Sequence, residues 1–308
     1  MTTTFQVLGA YDPTNTLTLR NAFARDMSSR FMELIRVIKK SVNERDCFGL
    51  RNVPVNQMSP TGANQFAFSK SDVKLAQFLS WLEEQVEKGI ITTVQMEQIG
   101  VAAESGWTNT YIADSYKRGV LRARSEMKKA GYNVPTVDES GGIEAILNAP
   151  YHIDRVGLLY SRVFSDLKGI TSTMDMQISR ILAQGLADGD GPALLARKLV
   201  ATINGEGIGE LGITDSLGRY IPAKVRADML ARTEIIRAHH QATIQEYMNW
   251  RVEKVNVMAE VVTAGDRRVC SKCTAVAKGG PYTLEQAMNM IPVHTRCRCC
   301  AIPYIKKS

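Results

Sequence analysis

The sequence predicts a mainly α-helical protein that ends in a small α+β domain closed by a zinc knuckle. Three observations predict it. Apolar residues recur at three- and four-residue steps through much of the first 250 positions; the period switches to two at Val255; and five of the six cysteines fall within residues 270–300. The chain has 308 residues, 44% of them hydrophobic and 22% charged. That is enough apolar material for a buried core, suggests two domains, and argues against global disorder.

In chain order, the Thr-rich residues 1–16 lack periodicity and read as an arm. Leu19, Phe23, Met27, Phe31, Leu34, Ile35 and Ile38 then define an amphipathic helix from Leu17 to about Asp46, capped by Asn15, Thr16 or Thr18. Residues 49–69, with two prolines and two glycines, read as a long loop. Ser71 and Asp72 open a helix that stops near Gly89. A further helical stretch is expected over 92–130, with a break at Ser105-Gly106. Residues 131–150 read as a linker that separates a helical N-terminal region, 1–150, from a second domain, 151–308. Helices are expected there over 153–168, 172–186, 191–203 and 223–250, with Gly-rich residues 204–222 before the last. From Val255 to Val261 apolar residues alternate with Asn256, Met258 and Glu260, the pattern of a half-buried strand. A turn at Gly265-Asp266, a short helix near 284–290 and a terminal Cys-rich strand complete the chain.

No secretory h-region follows Met1 and no apolar run reaches about 18 residues, so neither a signal peptide nor a spanning helix is expected. A reducing, cytosol-like compartment follows, in which clustered cysteines favour metal over disulfides. The net charge is +7, of which +6 lies in residues 251–308. Such a basic segment fits contact with nucleic acid or an acidic partner; it also fits compensation of thiolates at a metal.

The chemistry concentrates in Cys270-Ser271-Lys272-Cys273 and in His294-Thr295-Arg296-Cys297-Arg298-Cys299-Cys300. A C-x-x-C turn presents two thiolates to one ion, and a second element about twenty residues later completes a tetrahedral set for zinc. Cys270, Cys273 and Cys297 are the first three candidates, with Cys299 or His294 as the fourth. In an extended segment Cys297 and Cys299 share a face and Cys300 points away, as a small buried residue. Neither H-E-x-x-H nor an H-x-E ahead of the cysteine pair is present, which removes the common zinc-protease and zinc-deaminase patterns. Arg232 and Glu234 are expected to form ion pairs with the strand layer or with Asp266. Gly205, Gly207 and Gly209 read as a connection, His239 and His240 as surface or packing residues, and His152 as a loop or cap residue.

The order Ala231-Arg232-Thr233-Glu234, a helix containing Tyr247, Asp266-x-Arg268-x-Cys270-x-x-Cys273, and Pro292-x-His294-x-x-Cys297-Arg298-Cys299 resembles the phage Mu F-like family of minor head (head morphogenesis) proteins. The resemblance covers roughly residues 155–304. One departure is the family's His-Pro-Asn-Cys, which here is His294-Thr295-Arg296-Cys297. The resemblance implies a low-copy, non-enzymatic virion protein inside the capsid, made in the host cytoplasm and associated with the portal. It would act in head assembly or in DNA packaging and delivery. Its implied partners are the portal protein, capsid or scaffold components and packaged double-stranded DNA bound without sequence preference. The knuckle would span 266–304. Two other functions are carried as alternatives: a zinc-stabilised HNH-like nuclease, for which His294 is the one histidine in this region, and a DNA-binding zinc module.

Overall fold

The computed structural model describes residues 12–52, 71–91, 93–98, 101–204, 221–252 and 257–305. It is mainly helical, with a two-stranded sheet near the C-terminus beside the cysteines. The expected arm up to residue 11, most of the 49–69 loop and the Gly205–Gly209 segment lie outside the described residues. No helix among the described residues is long and apolar enough to cross a membrane.

Helix α1 spans Leu17–Lys39. Its start is tied down by Asp12, whose carboxylate accepts from Leu17 N at 2.7 Å and pairs with Arg20. Helix α2 spans Ser71–Val86 and runs on through a wider turn at Glu87–Ile91. Next come strands β1 (Thr93–Gln98) and β2 (Val101–Gly106), paired with each other, in place of the expected helix. The β-branched run Thr92-Thr93-Val94 favours extended backbone and outweighs the weak helical period. Helix α3 (Asn109–Lys129) and the one-turn α4 (Ile143–Leu147) follow, so the expected linker is partly helical.

Helix α5 runs unbroken from Pro150 to Ala187, in place of the two expected helices. Through the residues that suggest a break, Gly169 to Thr173, the helix tolerates Thr171 and Thr173 by letting their hydroxyls donate to the carbonyls of Lys168 and Gly169, so neither leaves an unpaired polar group. The buried series Leu159, Val163, Leu167, Met174, Ile178 also keeps its phase through this stretch. Helix α6 (Pro192–Asn204) and helix α7 (Ala223–Val252) complete the helical part. Strand β3 (Val257–Val262), helices α8 (Ser271–Lys278) and α9 (Leu284–Ala287) and strand β4 (Cys300–Ile305) end the chain.

The chain forms two compact units, each discontinuous in sequence: residues 1–24, 94–164 and 229–308, and residues 25–93 and 165–228. Neither coincides with the expected ranges 1–150 and 151–308. In the second unit the buried side chains include Met27, Phe31, Ile38, Phe78, Leu82, Leu182, Leu195 and Leu199, and Asp190 pairs with Lys198 at 2.5 Å.

The first unit carries the cysteines. Its α3 crosses α7 at a point of very close approach. A Cβ added to Gly119 would lie 2.3 Å from the carbonyl oxygen of His239 and 2.7 Å from Ala242 Cβ. Ser115 donates to Ile235 O at 2.7 Å and Thr243 to Gly119 O at 3.3 Å, so the crossing is stitched by hydroxyls where the backbones nearly touch. Strands β3 and β4 pair antiparallel, from Val257 opposite Ile305 to Val262 opposite Cys300. Val257, Ala259 and Val261 are buried, as the alternation requires. Pro303 opposes Ala259, whose N–H and C=O both bond instead to Tyr282, each at 2.8 Å. The proline's missing donor therefore leaves no ladder bond unmade.

Candidate metal centre

The cysteine pair sits at a helix start. Cys270 is the N-cap of α8 in extended conformation, and its sulfur accepts from Cys273 N at 3.4 Å. The thiol takes the place of the Ser or Asp oxygen that usually caps a helix, which turns both sulfurs towards one point. Upstream, Gly265 adopts a left-handed φ of 68°. The Asp266 carboxylate accepts from Arg268 N at 3.0 Å and from both terminal nitrogens of Arg298 at 2.6 Å. This bidentate pair links the segment before α8 to the segment before β4 and brings the two cysteine elements together.

The second element turns back at His294–Cys297, where Cys297 N donates to His294 O at 3.1 Å. Arg296 adopts a left-handed φ of 58°, and its N–H donates to Thr233 Oγ1 at 3.0 Å. Thr233 of α7, itself 7% exposed, thus holds the tip of the turn.

The expected ligands converge. The donor atoms of Cys270, Cys273 and His294 lie within 4.8 Å of one another, and so do those of Cys273, Cys297 and Cys299. The two sets share Cys273. Its sulfur is 3.9 Å from Cys297 Sγ and 3.1 Å from His294 Nε2. Zinc–sulfur bonds of about 2.3 Å in a tetrahedron place two sulfurs about 3.8 Å apart, so the Cys273–Cys297 edge already has the required length. His294 Nδ1 lies 2.6 Å from Thr295 O. Donation there leaves the Nε2 lone pair free to face the sulfurs, the tautomer a metal-bound imidazole requires. A cavity of about 30 Å³ opens among Cys270, Cys273, His294 and Cys299, with Arg268, Arg296 and Arg298 on its wall. This cluster of thiols with one imidazole could hold a metal ion.

The electrostatics point the same way. Burial pushes the Cys273 thiol up to about 12. Hydrogen bonding with Cys299 pulls Cys297 down to about 5, and the same contact drives Cys299 strongly up. The backbone N–H of Cys273 holds Cys270 below the ordinary thiol value. Crowded sulfurs therefore share protons, an arrangement a divalent cation relieves by replacing them. Asp266 is held far below the carboxylate range, chiefly by Arg298.

Cys300 faces away from this group. It is 2% exposed, begins β4, and its sulfur lies 3.2 Å from Arg122, so it is more than an apolar filler. Glu234 and Arg232 pair differently from expectation. Glu234, 2% exposed, is bound by Arg237 of its own helix at 3.1 Å and approached by Arg162 at 3.4 Å. Arg232 donates to Asn21 at 2.7 Å. A buried α7 carboxylate is satisfied by neighbouring helices, while Asp266 is already saturated by Arg298 and Arg268. His239 and His240 are packing residues, each 2% exposed; His240 Nε2 lies 2.7 Å from Ala287 O, seating α9 on α7.

His152 is not a loop residue. It lies in the first turn of α5, fully buried, between Tyr116 OH at 2.9 Å and Glu246 Oε2 at 3.2 Å. Glu246 also accepts from Arg124 at 2.8 Å and from Asn249 at 3.0 Å, and Arg124 stacks 5.4 Å from the Trp250 ring. This buried network has no signature in the sequence, because its members are separated by up to 133 positions, from Tyr116 to Asn249. With no route to solvent for Tyr116 or His152, its geometry is that of a structural clamp.

No family model matches the chain, and neither a curated protein nor a solved structure shows significant similarity to it.

Proposed function

We propose that this chain is a bacteriophage minor head protein of the phage Mu F-like kind, with a structural zinc ion as the staple of its C-terminal knuckle. The observation that carries the proposal is the hydrogen bond from Arg296 N to Thr233 Oγ1. The A-R-T-E element and the H-x-x-C-R-C element, the two ends of the resemblance, are thereby in direct contact, as a shared domain requires. Cys270, Cys273 and Cys297 would hold the zinc, with Cys299 or His294 fourth. The ion would supply cross-linking and no reaction step, so the chain is read as a non-enzyme. The helical N-terminal region would engage the portal and capsid or scaffold components, placing the protein inside the head after assembly in the host cytoplasm.

Two measurements test this. Elemental analysis of protein purified from zinc-replete cells should give about one zinc per chain, and X-ray absorption should show sulfur at about 2.3 Å, with or without one nitrogen. Co-expression with the portal protein of the phage that encodes it should yield a stable portal complex. Metal-free protein of unchanged fold would overturn the zinc assignment, and absence from both portal complexes and purified heads would overturn the role. Magnesium-dependent plasmid cleavage lost in His294→Ala would replace the role by the nuclease.

A further inference from the structure

Helix α5 has a buried side and a bare one. Leu159, Val163 and Leu167 turn into the protein. Asp154, Leu158, Ser161, Ser165 and Lys168 recur at steps of four and three residues on the opposite side, and all are exposed. The helix is unbroken across these positions, so helix geometry alone sets this face. α5 also carries four of the ten exposed large apolar side chains among the described residues, more than any other element. Leu158, at 65% exposure, stands in the middle of the bare face. An uncovered leucine of this kind marks a contact surface when its surroundings are shaped to receive a partner.

They are so shaped here. A Cβ added to Gly157, beside Leu158, would meet no atom within 4 Å. The Ser161 hydroxyl is already spent on Gly157 O at 3.1 Å, so covering it strands no donor. Small residues at the centre let a second helix axis come close, since interaxial distance follows the side chains at the contact. The charges then select the occupant. Asp154 lies seven residues before Ser161 and Lys168 seven residues after it, about two helical turns each way. Neither is paired with another described residue. A two-fold axis at Ser161 therefore sets each Asp154 against the Lys168 of a second, antiparallel copy, and each Leu158 over the second copy's small Ser165. A parallel pair would set Asp154 against Asp154 and Lys168 against Lys168, which like-charge repulsion disfavours. The face is complementary to itself in one orientation, as an isologous contact requires.

We infer that the bare face of α5 is the contact surface of a weak homodimer, in which a second copy of this chain lays its own α5 antiparallel across Ser161. The contact uses no residue of the cysteine centre and stands independently of the head-protein reading. A single helix–helix contact falls at the small end of protein interfaces, below about 1,200 Å², so the dimer is reversible. The test is sedimentation velocity of the full-length protein from about 10 μM to about 1 mM, where a weak contact of this kind populates both species. Leu158→Arg should abolish the dimer, whereas Val73→Arg, at an equally exposed apolar residue of α2, should leave it unchanged. Asp154→Lys and Lys168→Asp should each weaken association about ten-fold at low salt, because the symmetry turns two attractions into two repulsions. The combined exchange Asp154→Lys/Lys168→Asp should restore it, a rescue that a parallel pairing does not give. Circular dichroism of each variant checks that the helices are retained. A monomer across the whole range, a dimer indifferent to Leu158→Arg, or an exchange that fails to rescue would each overturn the inference. A monomer that loses portal binding in Leu158→Arg would give the face to the portal instead, and metal content on the same samples is expected to be constant throughout.

Discussion

The α3–α7 crossing and the cysteine-bearing excursion between β3 and β4 lie in the same compact unit and are held by different means. At the crossing, Ser115, Gly119 and Ala242 let two helices approach until backbone meets backbone, and the buried polar groups around Glu246 are hydrogen-bonded to one another. In the excursion the buried cluster is small: Ile236, Val261 and Ile291 share it with Cys273, Cys297 and Cys299. Leu284, Ala287 and Met288 of the same excursion join the core formed with α3 and α7, so a metal ion held by the cysteines would add most where that core does not reach, around residues 264–278 and 291–299. The difference teaches that one compact unit can contain a part held by close helix packing and a part organised around a cluster of metal-ligating side chains.

The strongest way to break this comparison is to strip the metal. A chelator should abolish hydrogen-exchange protection across residues 264–278 and 291–299 while amides of α3, α7 and α9 stay protected. Structural zinc is worth on the order of 10 kcal/mol in small isolated sites. Uniform loss of protection, or none, would show that the two parts are not distinct. Next in size, Glu246→Ala should cost about 3–5 kcal/mol in chemical denaturation, because it leaves Arg124 and His152 buried without their carboxylate. The same residue sets an acid dependence. Burial pushes the Glu246 carboxyl up, but hydrogen bonds from His152 and Arg124 outweigh it and hold the group below its ordinary value. Its contribution is therefore complete above the unfolded value, near about 4.3. It is lost as pH falls through the lower folded value. Glu246→Gln should flatten that part of the stability–pH curve.

Gly119→Ala sharpens the comparison at the crossing. The added methyl would meet a backbone oxygen that cannot turn aside, and a loss of about 2–3 kcal/mol is expected, with metal content unchanged. The smallest effect is a gain. Arg296 holds a left-handed φ that asparagine tolerates better, so Arg296→Asn should raise the thermal midpoint by the equivalent of about 0.5 kcal/mol while preserving the bond to Thr233. A fall instead would mean that the arginine side chain itself supports the turn.

Much of the α-helical layout is legible in the sequence because periodicity reports burial, as in Phe23, Met27 and Phe31 of α1. The sulfur cluster is legible because ligand spacing is local: Cys270 with Cys273, and His294 with Cys297 and Cys299. What escapes depends on contacts that no window contains. The continuity of α5 turns on a buried apolar face that keeps its phase from Leu159 to Ile178, and the β1–β2 pair on a competition between weak local signals. The Tyr116–His152–Glu246 network joins three helices distant in sequence, and the partner of Thr233 is a backbone group 63 residues away. Such polar pairs have no period, and only the assembled fold brings them together.

The register of β3 against β4 has an engineering consequence. Val262 opposite Cys300 fastens the two ends of residues 263–299 side by side, so the excursion is a cassette plugged into a hairpin stem. Tyr282, Leu284, Ala287 and Met288 of the cassette plug the core beneath the stem, so a foreign metal-binding insert has to replace the stretch around α8 and leave residues 279–291 in place.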